Sequence, residues 1–258
     1  MISLEEILEA KKMEIDRLKV ATPLSELQDR IKRMDTPRDF CAGLKPRNPG
    51  VIAEIKRCSP SQGIISGDFD HRTIAREYEE GGASALSVLT DQKFFQGDPS
   101  YIAETREVAA LPVLRKDFVL DEYQVFESRA LHADAILLIV RAMDQPQLER
   151  LHSLAYSLGL AVLVEVHDER DLAIANTLKA KLIGINNRDL SDYSVSLERS
   201  LRLRDKVHAD ALVVSESGIK TAADIEQLAG AGFHGVLIGE SLMRAHNKPA
   251  FLRGLLRH

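Results

Sequence analysis

The sequence predicts a (β/α)8 barrel preceded by a helical extension. Three observations lead there. Eight short apolar runs rich in β-branched residues recur along the chain, as expected for parallel strands buried on both faces. Amphipathic segments of good helix formers separate them. No Gly-x-Gly-x-x-Gly follows the first run, so the doubly wound open sheet, the structural rival, lacks its usual signature.

In chain order, Ser3 followed by Glu6 is a capping-box pattern, and Leu4, Ile7, Leu8, Ile15 and Leu18 then recur at helical spacing. Thr22-Pro23 reads as an N-cap with proline at the first helical position, opening a second helix. The apolar runs occupy residues 51–56, 85–90, 112–116, 135–140, 161–166, 182–187, 211–216 and 235–239. Helical segments are expected at 73–80, 101–110, 122–132, 145–158, 169–179, 197–206, 222–229 and 248–256. Glycines close several of them, as in Glu80-Gly81-Gly82 and Ala229-Gly230-Ala231-Gly232. No linker or low-complexity stretch divides the chain, so residues 1–258 are expected to form one barrel domain, with 1–48 as its N-terminal helical extension. The connection from Cys58 to Asp70 exceeds the roughly 12 residues usual in compact domains and is expected to act as a lid.

Composition narrows the function. The 258 residues are 45% hydrophobic and 28% charged, ordinary values for a globular chain large enough to need no disulfide or metal. A net charge of -5 and a pI of about 5.9 leave no basic footprint for nucleic acid. The N-terminus is acidic and amphipathic, unlike a secretory signal, and the longest apolar run, 135–140, is too short to span a membrane. Cys41 and Cys58 form no metal or redox motif, and a reduced cytoplasmic setting is expected.

In such barrels the active site lies where strands end and βα-loops begin. Glu54 and Lys56 end the first run two residues apart, on one strand face. Opposite charges are costly to bury there without a use. Later ends carry Thr90 and Asp91, Lys116 and Asp117, Glu165, Asn186 and Arg188, Glu216 and Ser217, and Gly239 and Glu240. By parity Lys116 shares a face with Leu114, Glu165 with Leu163, Asn186 with Gly184, Glu216 with Val214 and Gly239 with Leu237. A single strand-end charge is usually solvated or salt-bridged. The coincidence of Glu54, Lys56, Lys116 and Glu165 reads as a site. Arg115 and Asp117 are expected to be outward structural charges, and Asp91, Glu104 and Arg106 surface or loop-anchoring groups. The scattered histidines, among them His132, His152 and His167, lack metal-ligand spacing and are expected at the surface. Phe94-Phe95 reads equally as core packing or as the wall of a pocket for a flat aromatic group.

Glu216-Ser217-Gly218-Ile219 and Ile238-Gly239-Glu240-Ser241-Leu242-Met243 follow the last two strands, the second opening a short helical turn. These are the usual phosphate-binding loops of this fold. Their glycines let the backbone approach, and free N–H groups at the helix start meet the anion. A small phosphorylated substrate is therefore expected.

Long motifs now point to a family. Ile52-Ala53-Glu54-Ile55-Lys56-Arg57-Cys58-Ser59-Pro60-Ser61, Leu89-Thr90-Asp91, Phe94-Phe95-Gln96-Gly97, Leu114-Arg115-Lys116-Asp117-Phe118, Val164-Glu165-Val166-His167, Gly184-Ile185-Asn186-Asn187-Arg188-Asp189-Leu190 and Ser215-Glu216-Ser217-Gly218-Ile219 resemble indole-3-glycerol-phosphate synthases. The resemblance runs in order from the N-terminal helices to the last strand. His132 and Arg141 depart from it, standing where smaller residues are expected.

The resemblance implies ring closure, decarboxylation and dehydration of 1-(2-carboxyphenylamino)-1-deoxyribulose 5-phosphate. The products are indole-3-glycerol phosphate, carbon dioxide and water, in tryptophan biosynthesis. It implies no metal and no organic cofactor. Lys116 is then the acid at the ketone oxygen, where a protonated lysine stabilises growing negative charge. Glu165 is the base for dehydration. Lys56 binds the anthranilate carboxylate or assists departure of the hydroxyl, a choice the sequence leaves open. Glu54 holds Lys56 in place or tunes its charge, Asn186 bonds the substrate, and Glu216 and Ser217 complete the polar wall. Arg188 is an anion clamp. Ser59, Phe118, Gly218, Gly239, Glu240 and Ser241 are the remaining substrate- and phosphate-binding positions. A monomer is expected, in transient contact at most with other tryptophan-pathway enzymes. Two rivals stand beside this reading: a Schiff-base aldolase using Lys116 or Lys56 as nucleophile, and a non-catalytic phosphate-binding barrel.

Overall fold

The expected alternation closes on itself. The computed structural model describes residues 2–60, 62–189 and 193–256; Ser61 and Leu190, quoted in the motifs above, lie outside the described residues. The strands are β1 (Gly50–Ile55), β2 (Ala85–Leu89), β3 (Val113–Lys116), β4 (Ala135–Ile139), β5 (Ala161–Val166), β6 (Leu182–Asn186), β7 (Leu212–Glu216) and β8 (Gly235–Ile238). They form a closed barrel of parallel neighbours in sequence order, and β8 returns to β1 in the register Gly50↔Gly235 to Ala53↔Ile238. The (β/α)8 fold is thus the one the pattern predicts, with ends shifted by a residue or two where terminal turns fray.

Parity sorts the core. Ile52, Leu114, Leu163, Val214 and Leu237 point inward and fill the barrel, while Val51, Val113, Val162, Val213 and Val236 point outward under the helices. The inward set is closed from below by Phe40 and Leu44 on the short helix Phe40–Leu44. The sequence pattern did not reveal this helix, because five residues are too few to show a period. It is nucleated locally: Asp39 accepts a hydrogen bond from the Ala42 N–H at 2.8 Å.

At the other end of the barrel lies α1 (Leu4–Ala21). Its capping box is complete: the Glu6 N–H donates to Ser3 Oγ, and the Ser3 N–H donates to Glu6 Oε2 at 2.8 Å. One stripe of α1 is buried, and it reads Ile7, Lys11, Ile15. The next helix, α2 (Leu24–Ile31), starts one residue later than expected, with Pro23 rather than Thr22 as N-cap. The Thr22 N–H is already used, donating to Leu18 O at 2.8 Å to finish α1. Tyr123 Oη lies 3.0 Å from both Leu18 O and Thr22 O, its single proton shared between the two carbonyls, fixing this elbow to the barrel.

The long connection after β1 contains a two-residue antiparallel ladder, Cys58–Ser59 against Gly63–Ile64, with Gly63 at φ 63°. His132 also takes a left-handed φ, 68°, just past the helix Glu122–Ala130. That position favours glycine, which accounts for the smaller residue expected there. Among the described residues, no helix is long and apolar enough to cross a membrane.

Candidate active site

Five of the strand ends deliver inward polar groups to the same mouth. Glu54 stands on β1, and Lys56, just past the strand on the same face, is ion-paired to Glu54 Oε1 through Nζ. Lys116 ends β3, Glu165 lies near the end of β5, Asn186 ends β6 and Glu216 ends β7. Lys116 Nζ sits 3.2 Å from Glu165 Oε2 and 3.7 Å from Glu216 Oε2. Both carboxylates are buried, at 2% and 1% exposure, so neither can rely on water for its charge. Two glycines make room for them. A Cβ on Gly184 would run into the Glu216 carboxylate, and one on Gly239 into that of Glu54.

The cluster sets its own charge states. Burial alone would lower the Lys116 ammonium, but Glu165, Glu216 and Glu54 outweigh it and hold Lys116 above the usual lysine range. Glu165 is held below the usual carboxylate range: burial opposes this, and Lys116 and then His167 overcome it. Glu216 goes the other way, to about 8, through burial first and the neighbouring Glu165 charge second. At neutral pH the lysine is therefore charged, Glu165 is ionised and Glu216 carries a proton. Similar carboxylates a few ångströms apart thus take different protonation states.

Every residue singled out from the sequence as catalytic or ligand-binding lines one cavity of about 900 Å3. Ser59, Phe118, Arg188, Ser217, Gly218, Gly239, Glu240 and Ser241 ring the strand-end charges there. Ser217 and Gly218 have φ 68° and 86°, a pair of left-handed residues that turns the chain sharply after β7. Ser241 Oγ donates to Ile219 O at 3.1 Å, tying the loops after β7 and β8 together. The Arg188 N–H donates to Asn186 Oδ1 at 3.0 Å. Of the two phenylalanines, Phe95 lines the cavity, its ring 6.3 Å from that of Phe118, whereas Phe94 lies under the Lys93 ammonium.

Part of the wall carries no signal in the sequence. Ile2, Leu4 and Ile7 reach the cavity from the N-terminus, and Tyr193 Oη donates to Ile2 O at 2.7 Å. Leu137 and Ile139 supply the apolar side from β4, whose end carries no charge to draw attention.

Several expectations need correction. Arg115 and Asp117 do point away from the barrel, but both are fully buried: Arg115 pairs with Asp117 at 3.0 Å and Glu127 at 2.7 Å. Asp91, expected as a surface or loop-anchoring group, is the second of these: it is buried, caps the turn Gln92–Phe95 and pairs with Lys11 at 2.9 Å. Arg106 pairs with the buried Asp134, and Glu104 with His71 and Arg72. His152 and His167 are buried, not surface residues. Arg141, a departure in sequence, has partners here: Asp168 and Asp171. Among the described residues, no group of His, Cys, Asp and Glu side chains is arranged to hold a metal ion.

A closed (β/α)8 barrel with lysines and carboxylates gathered at its strand ends, around one cavity, defines a barrel enzyme equipped for proton transfer on a small anionic molecule. The family model for indole-3-glycerol phosphate synthase matches residues 4–255. The chain is 48% identical over 245 residues to the indole-3-glycerol phosphate synthase of Chlorobium chlorochromatii, covering 94% of this chain and 95% of that one. It is 46% identical over 248 residues to that of a Polaromonas species, covering 95% of this chain and 94% of its relative. The chain belongs to the indole-3-glycerol phosphate synthase family, carboxy-lyases of tryptophan biosynthesis. The solved 3-hexulose-6-phosphate synthase of Salmonella typhimurium shares the fold, with a TM-score of 0.65 at 13% identity over 80% of this chain and 96% of its own.

Proposed function

We propose that the chain closes, decarboxylates and dehydrates 1-(2-carboxyphenylamino)-1-deoxyribulose 5-phosphate to indole-3-glycerol phosphate, with the roles that follow. The observation that carries them is the position of Lys116 Nζ between Glu165 and Glu216. The ring carbon bearing the carboxylate attacks the ketone, and the ketone oxygen takes a proton from Lys116. Loss of carbon dioxide returns the electron pair to the ring. The new hydroxyl then takes a proton from the Lys56 ammonium, freed once the carboxylate has left as carbon dioxide, and departs as water, while Glu165 removes a proton from the adjacent carbon. An ionised Glu165 beside a charged Lys116 suits both steps. A Schiff-base mechanism needs the opposite, a lysine of lowered pKa.

Lys56, held by Glu54, binds the anthranilate carboxylate, and Asn186 and Arg188 bond the substrate. Phe95 and Phe118 flank its aromatic ring. Ser217, Gly218, Gly239, Glu240 and Ser241 receive the phosphate, where the sharp turn after β7 meets the loop after β8. Glu216, protonated at neutral pH, offers a neutral donor and keeps the mouth from becoming too negative for an anionic substrate. Ser59 and the connection around it close over the ligand.

The same reading takes residues 1–258 as one barrel domain with 1–48 as its extension, acting as a cytoplasmic monomer that meets other pathway enzymes only transiently. Its test is fluorescence detection of indole-3-glycerol phosphate with EDTA present and no cofactor added. Turnover supports the reading, and a folded chain that binds phosphate ligands without turnover overturns it.

A further inference from the structure

His167 lies directly behind Glu165, and nothing in the chemistry above uses it. Its side chain is 1% exposed. Nε2 faces Glu165 Oε1 at 3.4 Å, and Nδ1 faces Asp171 Oδ2 at 3.7 Å. Neither ring nitrogen completes a hydrogen bond among the described residues. A buried imidazole left in that state is unfavourable, and a small movement of either carboxylate would satisfy it. Catalytic hydrogen bonds are often long before substrate binds.

Asp171 is fixed from two sides. It accepts the His167 backbone N–H at 2.9 Å and Arg141 Nε at 2.7 Å. Arg141 comes from the turn Val140–Ala142 after β4, and it also pairs with Asp168, the N-cap of the helix Glu169–Thr177. The departure at Arg141 therefore anchors the carboxylate that backs His167. On the other side the two oxygens of Glu165 are divided. Oε2 faces Lys116 of β3 and the cavity, and Oε1 faces the imidazole. The charged or polar groups around this pair are Asp171, Arg141, Lys116, Glu216 of β7 and Asn186 of β6.

We propose that His167 is a positioning residue for the general base: its imidazole, backed by Asp171 and Arg141, holds Oε1 of Glu165 so that Oε2 faces the substrate. The proposal rests on Glu165 being the base. An N–H aimed at a carboxylate favours its charged form.

The test compares His167→Leu, His167→Ala and His167→Gln in the full chain by kcat, KM, the pH dependence of kcat and thermal stability, with Glu165→Gln alongside. Removing the N–H makes Glu165 harder to ionise. Both apolar variants should therefore lower kcat by about tenfold with KM nearly unchanged, and move the acidic limb of the profile up by about one pH unit. Should His167→Leu not fold, His167→Ala removes the same N–H without adding bulk. His167→Gln, which keeps an N–H within reach, should recover much of kcat and bring the limb back. A loss of kcat that follows lowered stability, with the limb unmoved in every variant, would reduce His167 to a packing residue and overturn the proposal. Glu165→Gln separates the two layers. If it retains turnover, the base assignment fails. If it abolishes turnover while the His167 variants behave like wild type, only the inference about His167 fails.

Discussion

Lys11 Nζ lies 2.9 Å from Asp117 Oδ1, so the N-terminal helix is ion-paired to the residue that directly follows Lys116. Lys11 also reaches Asp91 at 2.9 Å, and Asp117 in turn holds Arg115 at 3.0 Å and Thr90 Oγ1 at 2.7 Å. All five side chains are buried. The extension is thus joined through charge to the ends of β2 and β3, on the outer side of the strand that presents Lys116 to the cavity.

Replacing Lys11 by Met should therefore cost more than a surface ion pair would. Removing one partner of a buried pair leaves the others uncompensated, which typically costs about 3–5 kcal/mol. Urea unfolding of Lys11→Met should show a loss of that order, together with a lower kcat as the end of β3 loosens. A loss below about 1 kcal/mol, the range of exposed pairs, would contradict the buried network.

Acid should attack the same network. Burial opposes ionisation of Asp117, but Lys11 and Arg115 outweigh it and hold the carboxyl well below its ordinary range. Folded protein then binds fewer protons there than unfolded chain does. The stabilisation is fully present above the unfolded Asp value of about 3.9 and is lost as pH falls through the lowered folded value. Unfolding free energies measured from pH 6 down to about pH 3 should fall more steeply for wild type than for Asp117→Asn. Parallel slopes would argue against the pairing.

Glu216 makes the opposite prediction on the alkaline side. With its carboxyl raised to about 8, the folded protein holds a proton that the unfolded chain releases at a lower pH, and stability declines as pH rises through that value. The second negative charge that appears beside Glu165 also repels an anionic substrate. The kcat/KM profile should bend downward near pH 8, and Glu216→Gln should remove that bend. Persistence of the same limb in Glu216→Gln would assign it elsewhere.

The connection after β1 supplies a fourth test. Gly63 sits at φ 63°, which proline cannot adopt, and its two-residue ladder with Ser59 is exposed on the Gly63–Ile64 side. Gly63→Pro should reduce turnover by about tenfold or more, if closure of this segment limits the reaction, while thermal stability stays near wild type. Unchanged turnover would remove the lid from the account.

The barrel was legible because period-2 and helical patterns each persist long enough to be counted, and because buried parallel strands leave unbroken apolar runs. Glu54, Lys56, Lys116, Glu165 and Glu216 were legible because a charge at the end of such a run has no structural reason to face inward. The helix Phe40–Leu44 was too short to show a period. Lys11 did leave a signal: it occupies the position between Ile7 and Ile15 on the buried stripe of α1, where an apolar residue would be expected. Its partners, Asp91 and Asp117, are distant in sequence, so only the fold pairs them. His167 escaped for the same reason, since a lone histidine past a strand end reads as a surface residue until Asp171 and Arg141 are placed around it. The apolar wall from Ile2, Leu137 and Ile139 carries no chemistry that marks it in sequence.

In the proposed mechanism Lys116, held charged between Glu165 and Glu216, protonates the ketone oxygen. The most direct test of this step is the turnover of Lys116→Met, followed by product fluorescence and paired with a melting curve. The expected result is a folded protein whose turnover falls by at least about a hundredfold, the lower range for loss of a general acid. A folded Lys116→Met variant that turns over at the wild-type rate would contradict it.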